Sequence, residues 1–78
     1  MTETAVVFGL HAVQAVLENQ ANRVAGVLLQ RGRGDARIDA IEQLARAAGI
    51  VVERREGREL DQLSGNGRHQ GVIARLEA

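Results

Sequence analysis

The amino-acid sequence predicts an α/β domain, with helices packed against a four-stranded sheet in the order β-α-β-α-β-α-β. Three observations carry that prediction. Apolar spacing switches repeatedly between the short continuous runs of buried strands and the three-to-four-residue period of helices. Breaks rich in glycine and asparagine separate the segments. The 78-residue chain has no Cys and a single aromatic residue, Phe8, within an apolar content of 45%. It can therefore build one small aliphatic core, which favours strands covered by short helices.

Ala5-Val6-Val7-Phe8 is a continuous apolar run ended by Gly9, as in a buried strand. The period then lengthens. Leu10, Val13, Val16 and Leu17 fall at helical spacing, leaving Gln14, Glu18 and Gln20 for solvent, so a helix is expected over Leu10 to Asn19. Asn19 or Asn22 suits its end, because Asn tolerates the left-handed conformation of a helix cap. Val24-Ala25-Gly26-Val27-Leu28-Leu29 reads as the central strand, covered on both faces. Arg31-Gly32-Arg33-Gly34-Asp35 is too glycine-rich and charged to extend either element, and is expected to be a mobile loop. Ile38, Ile41, Leu44, Ala45 and Ala48 then trace a second helical face. Early acids, the late Arg46 and the terminal Gly49 suit its dipole and its stop.

The third strand is expected over Ile50 to Arg55, β-branched at first and charged as it leaves the core. In Arg58 to Leu63, a short helix offers Leu60 and Leu63 for burial, and Ser64-Gly65-Asn66-Gly67 breaks it with residues suited to positive backbone angles. The last strand alternates cleanly, Val72, Ala74 and Leu76 on one side, Ile73 and Arg75 on the other.

Function classes narrow by exclusion. No stretch approaches the ~20 apolar residues of a membrane span, and Met1-Thr2-Glu3-Thr4 lacks the basic start of a secretory signal, so the chain reads as cytoplasmic. Ten basic residues balance ten acidic ones, which removes the overall excess of a strongly basic nucleic-acid binder. Any phosphate contact must come from local placement. All ten basic residues are Arg, a bias that a GC-rich genome explains better than selection for phosphate contacts. Nucleophilic chemistry would need Ser64, Thr2 or Thr4, and none lies in a motif that pairs it with His and a carboxylate. His11 and His69 lie far apart without carboxylate or thiol at ligand spacing, so no metal is expected. Gly32-Arg33-Gly34 meets Arg37 where a dinucleotide loop needs its third glycine, and that motif fails.

Two polar signatures, each joined to an apolar run, remain. Gly9-Leu10-His11-Ala12-Val13-Gln14-Ala15-Val16-Leu17 resembles the opening stretch of bacterial 23S rRNA guanosine 2′-O-ribose methyltransferases of the SpoU/TrmH class. His69-Gln70-Gly71 resembles the opening of the last strand of their amino-terminal domain. The resemblance implies an L30e-like fold, a four-stranded mixed sheet with flanking helices, spanning residues 1–78 as an RNA substrate-binding domain. It implies 23S rRNA and the protein's own catalytic domain as partners. S-adenosylmethionine is expected in that catalytic domain, a knotted one absent from this chain, and the parent enzyme is expected to be a homodimer formed through it. The chain alone is then not an enzyme.

Candidate contact residues gather in the loops beyond the strand ends, since the strands themselves are occupied with packing. His11, just after Gly9, offers a ring to a phosphate, a 2′-hydroxyl or a base edge, or else fixes the strand-helix turn. Arg31, Arg33 and Arg37 can form paired bonds to phosphate from a backbone that Gly32 and Gly34 leave adaptable. The bland alternative is a solvated charged loop. Asn66, Arg68, His69 and Gln70 complete the set, although His69-Gln70 can also simply satisfy the start of a strand. Arg54, Arg55 and Arg58 alternate with acids and are expected to be screened. A different class of function also fits the neutral charge and the lack of stacking aromatics: a protein-interaction module docking on its catalytic domain or on a ribosomal protein.

Overall fold

A computed structural model describes residues 5–77; the Met1-to-Thr4 stretch, with Thr2 and Thr4, lies outside the described residues, as does Ala78. The elements are β1 (Ala5–Phe8), α1 (Leu10–Asn19), a 3₁₀ turn (Ala21–Arg23), β2 (Val24–Gln30), α2 (Ala36–Ala47), β3 (Val52–Arg55), α3 (Gly57–Leu63) and β4 (Val72–Leu76). The sheet order is β1-β4-β2-β3. β4 runs antiparallel to both β1 and β2, while β2 and β3 are parallel. The fold is the α/β class expected, a four-stranded mixed sheet with flanking helices, consistent with the L30e-like arrangement.

The alternation along the strands sorts the core into two layers. On one face, Val13 and Leu17 of α1 and Ile38, Ile41 and Ala45 of α2 pack on Val27, Leu29, Val72 and Ala74. On the other, Leu60 of α3 meets Leu28 and Ile73, with Val6 and Phe8 half-buried beside them. Leu60 is α3's only buried residue, so truncating it to Ala would cost about 2–5 kcal/mol.

Several expectations need correction. β1 lies at a sheet edge with only partial burial, because β4 inserts between it and β2. No left-handed Asn ends α1: its C-cap is Gln20, and Asn19 instead donates its side-chain amide to Ala15 O. β3 begins at Val52, leaving Val51 65% exposed. Leu63 is 40% exposed, since a seven-residue helix turns a single residue squarely onto the sheet. Arg37 sits in the first turn of α2, not in the preceding loop, because Asp35 caps that helix by accepting the Ile38 N–H at 2.9 Å.

Candidate nucleic-acid interface

The three parallel strands β1, β2 and β3 all finish at the end of the sheet where β4 begins. That topology brings the loops together on one rim. Gly9 N donates to Val72 O at 3.2 Å, Gln30 N to Gly71 O at 2.9 Å and Arg31 N to Arg55 O at 2.7 Å, so the strand ends stand in register across the sheet. Three inter-strand gaps give the rim a width of about 14 Å. Because each helix follows one of these strands directly, α1, α2 and α3 also start there.

The two polar signatures are joined face to face on this rim. Gln70 Oε1 accepts the Leu10 N–H at 2.9 Å and so caps α1, whose own N-cap position, Gly9, carries no side chain to do it. Gly9 has φ 95°, and a Cβ there would lie 3.3 Å from Gln70 Oε1. The backbone angle therefore calls for glycine, and a Cβ would also crowd the capping oxygen. Gln70 itself adopts φ 55°, a left-handed conformation for a residue with a Cβ.

His69 is 8% exposed. Its Nδ1 accepts the Gly71 N–H at 2.9 Å, which leaves the proton on Nε2, donated to Asp61 Oδ1 at 2.7 Å. Both ring nitrogens are spent inside the protein, so the ring shapes the turn and offers nothing to a ligand. Nor does it form a nucleophile pair. Ser64 Oγ bonds the carbonyl oxygens of Asp61 and Gly67, closing a turn. Asn66, φ 64°, follows in that turn.

The cations differ in how free they are. Arg31 Nη1 lies 3.1 Å from Glu56 Oε1, both side chains mostly exposed, a pairing worth at most about 1 kcal/mol and readily exchanged for another anion. Arg54 is held by Glu42 at 2.9 Å, and Arg55 by Glu53 at 3.1 Å and Glu59 at 2.9 Å. The hydrogen bond and charge of Glu53, with Glu59 beyond it, raise the Arg55 pKa further. Among the described residues, Arg33, Arg37, Arg58 and Arg68 have no carboxylate partner, and all four are exposed. The screening expected of Arg58 is not found, because its neighbours Glu56 and Glu59 pair with Arg31 and Arg55 instead. Arg33 is not splayed into solvent: its stem lies over Gly71, where a Cβ would come within 2.8 Å of Arg33 Cδ. His11 is exposed at the first turn of α1. With Gln14, Arg37, Leu10 and Ile41 it lines an open cleft of about 380 Å³ between α1 and α2.

The structure thus brings Gly9, His11, Arg31, Arg33, Arg37, Arg68 and Gln70 to one rim, but withdraws His69 and commits the side-chain oxygen of the exposed Gln70 to the Leu10 N–H. Sequence reasoning gave no sign that the Gln30 amide packs on Gly57, so closely that a Cβ there would sit 2.9 Å from Nε2. It also missed Asp61 and Glu56, which partner His69 and Arg31 across 8 and 25 residues with no local signal. Gln14 had one: it lies a single helical turn beyond His11. No helix is long and apolar enough to cross a membrane, and no three potential ligand side chains gather as a metal site, among the described residues.

A family model described as RNA 2′-O ribose methyltransferase substrate binding matches residues 6–78. The chain is 40% identical over 76 residues to the 23S rRNA (guanosine-2′-O-)-methyltransferase RlmB of Pseudomonas aeruginosa, covering 97% of this chain and 30% of that protein. Against the protein of the same name from Xanthomonas campestris pv. campestris the identity is 42% over 72 residues, 92% of this chain and 29% of the relative. For that from Escherichia coli K12 it is 35% over 72 residues, 92% and 30% respectively. The chain spans about a third or less of the length of these relatives.

Proposed function

Since the chain belongs to the family of RNA 2′-O-ribose methyltransferase substrate-binding domains, we propose that it grips 23S rRNA and presents one guanosine to a catalytic domain elsewhere in the same protein. The observation that carries this reading is the group of unpaired, exposed cations Arg33, Arg37 and Arg68 on one rim, with the weakly held Arg31 beside them. The net charge of zero does not oppose it. Arg46, Arg54, Arg55 and Arg75 are each paired with a carboxylate, which leaves most of the unpaired positive charge among the described residues on the rim side.

The physical task is orientation. Guanidiniums on phosphate fix the register of the RNA without reading its sequence, and a fixed register raises the effective concentration of one 2′-hydroxyl at the methyl donor. Residues 1–78 form the binding domain, and the catalytic domain supplies S-adenosylmethionine and the dimer contact. No residue of this chain is assigned to the methyl transfer. His69 and Gln70 act indirectly in this reading, by shaping the rim that holds the arginines.

The test is binding of an rRNA hairpin by the chain as a function of salt. Each phosphate contact on a single-stranded segment contributes about 0.7 to the slope of log affinity against log salt. Arg33→Ala and Arg68→Ala should each flatten the slope by roughly that amount, and Arg46→Ala, paired with Glu42 at the far end of α2, should not. A slope near zero in the unaltered chain would instead mark a protein-docking surface and overturn the proposal.

A further inference from the structure

The α1–α2 cleft is poorly suited to a phosphate alone. Its lining includes Leu10 and the buried Ile41, and an aliphatic surface gains nothing from a charged oxygen. Around that apolar patch stand three groups of another kind: the exposed His11 imidazole and Gln14 amide from α1, and the Arg37 guanidinium from α2, which has no carboxylate partner among the described residues. Two are flat π-systems and the third carries both a donor and an acceptor. The volume, about 380 Å³, lies toward the small end of ligand clefts and is ample for one nucleobase.

Single-stranded RNA is commonly held by bases splayed out of their stack onto aromatic faces or Arg guanidinium planes. This chain has no Tyr or Trp, and its one Phe is committed to the second-face core, where its ring presses on Gly67. His11 and Arg37 are therefore the planar groups left to serve on this side of the rim. Resting on the RNA-binding reading above, we infer that the α1–α2 cleft receives one unpaired nucleobase of the RNA. The base lies against Leu10 and Ile41, stacked by His11 and Arg37, with Gln14 at its edge. Arg33 and Arg68 hold the flanking phosphates. The cleft then confers a preference for unpaired RNA that rim charge alone does not supply.

The test compares two RNAs of equal length and charge, a hairpin with an unpaired loop and a fully paired duplex, titrated against the chain by fluorescence anisotropy. 2-Aminopurine in the loop reports stacking. His11→Ala and Arg37→Lys should weaken hairpin binding about ten-fold, the scale of one lost base-stacking contact. Duplex binding should stay within about two-fold, because Lys keeps the charge and loses only the plane. Arg33→Ala should weaken both RNAs together. Both altered residues are exposed, and an unchanged melting temperature confirms that the variants fold. Equal losses on the two RNAs, or none, would overturn the base subsite while leaving RNA binding intact. Failure of the unaltered chain to bind either RNA would remove the RNA reading and the subsite with it.

Discussion

Gln70 reaches across 60 positions of sequence to cap the first N–H of α1, its Oε1 lying 2.9 Å from Leu10 N. The cap of a helix is usually supplied by the residue that starts it. Here that position is Gly9, held against the start of β4, so the capping side chain comes from the turn that leads into that strand. The turn leading into β4 and the start of α1 are consequently one structural unit.

Replacing Gln70 with Ala removes this cap and should destabilise the domain by about 1 kcal/mol, measured as a shift in urea midpoint with unchanged slope. The Leu10 amide should lose its protection from hydrogen exchange. Gln70→Gly, which removes the same cap but relieves the left-handed φ of 55°, should be the milder of the two.

His69→Ala leaves the Gly71 N–H without an acceptor in a buried position, and it opens a void beside Asp61. The expected cost is about 1–3 kcal/mol for the orphaned donor alone. In a domain of this size that lowers the melting temperature by roughly 4–8 °C for each kcal/mol. RNA affinity per folded molecule should fall less than for Arg33→Ala, because the ring faces inward.

Glu42 bonds Arg46 and Arg54, and the Arg46 hydrogen bond above all holds its carboxyl below the ordinary carboxylate pKa, against a partial opposing effect of burial. With the folded pKa depressed, the unfolded chain binds more protons through the intervening window, so this stabilisation is present above the ordinary value and disappears as pH falls through the folded one. Melting curves between neutral and acid pH should therefore show a shallower acid decline in Glu42→Gln than in the unaltered chain. An identical decline in both would mean that the trio contributes nothing to stability.

Most of the elements were legible in the sequence because they depend on local spacing. The α1 helix runs over Leu10–Asn19 as the period indicates, and the alternation of Val72, Ile73 and Ala74 sorts them correctly onto two faces. Edges were less legible. Val51 has every local feature of a strand residue yet lies outside β3, because its pairing depends on where β2 places its partners. The loops that meet at the rim could be named from sequence, but the freedom of each arginine could not: Arg31 meets Glu56, and Arg33 folds over Gly71, through contacts that no spacing encodes.

By itself the sequence determined the alternation of helix and strand, the aliphatic core and the presence of two unusual polar signatures, all consequences of side-chain periodicity and backbone preference within a few residues. Only the tertiary structure decided that β4 lies between β1 and β2, and so that His69 is buried, that Gln70 caps a helix, and that His11 and Arg37 share a cleft. The physical reason is that hydrogen-bond satisfaction and burial are settled by groups distant in sequence: a polar side chain turns inward or outward according to which orphan donors the neighbouring strand leaves beside it.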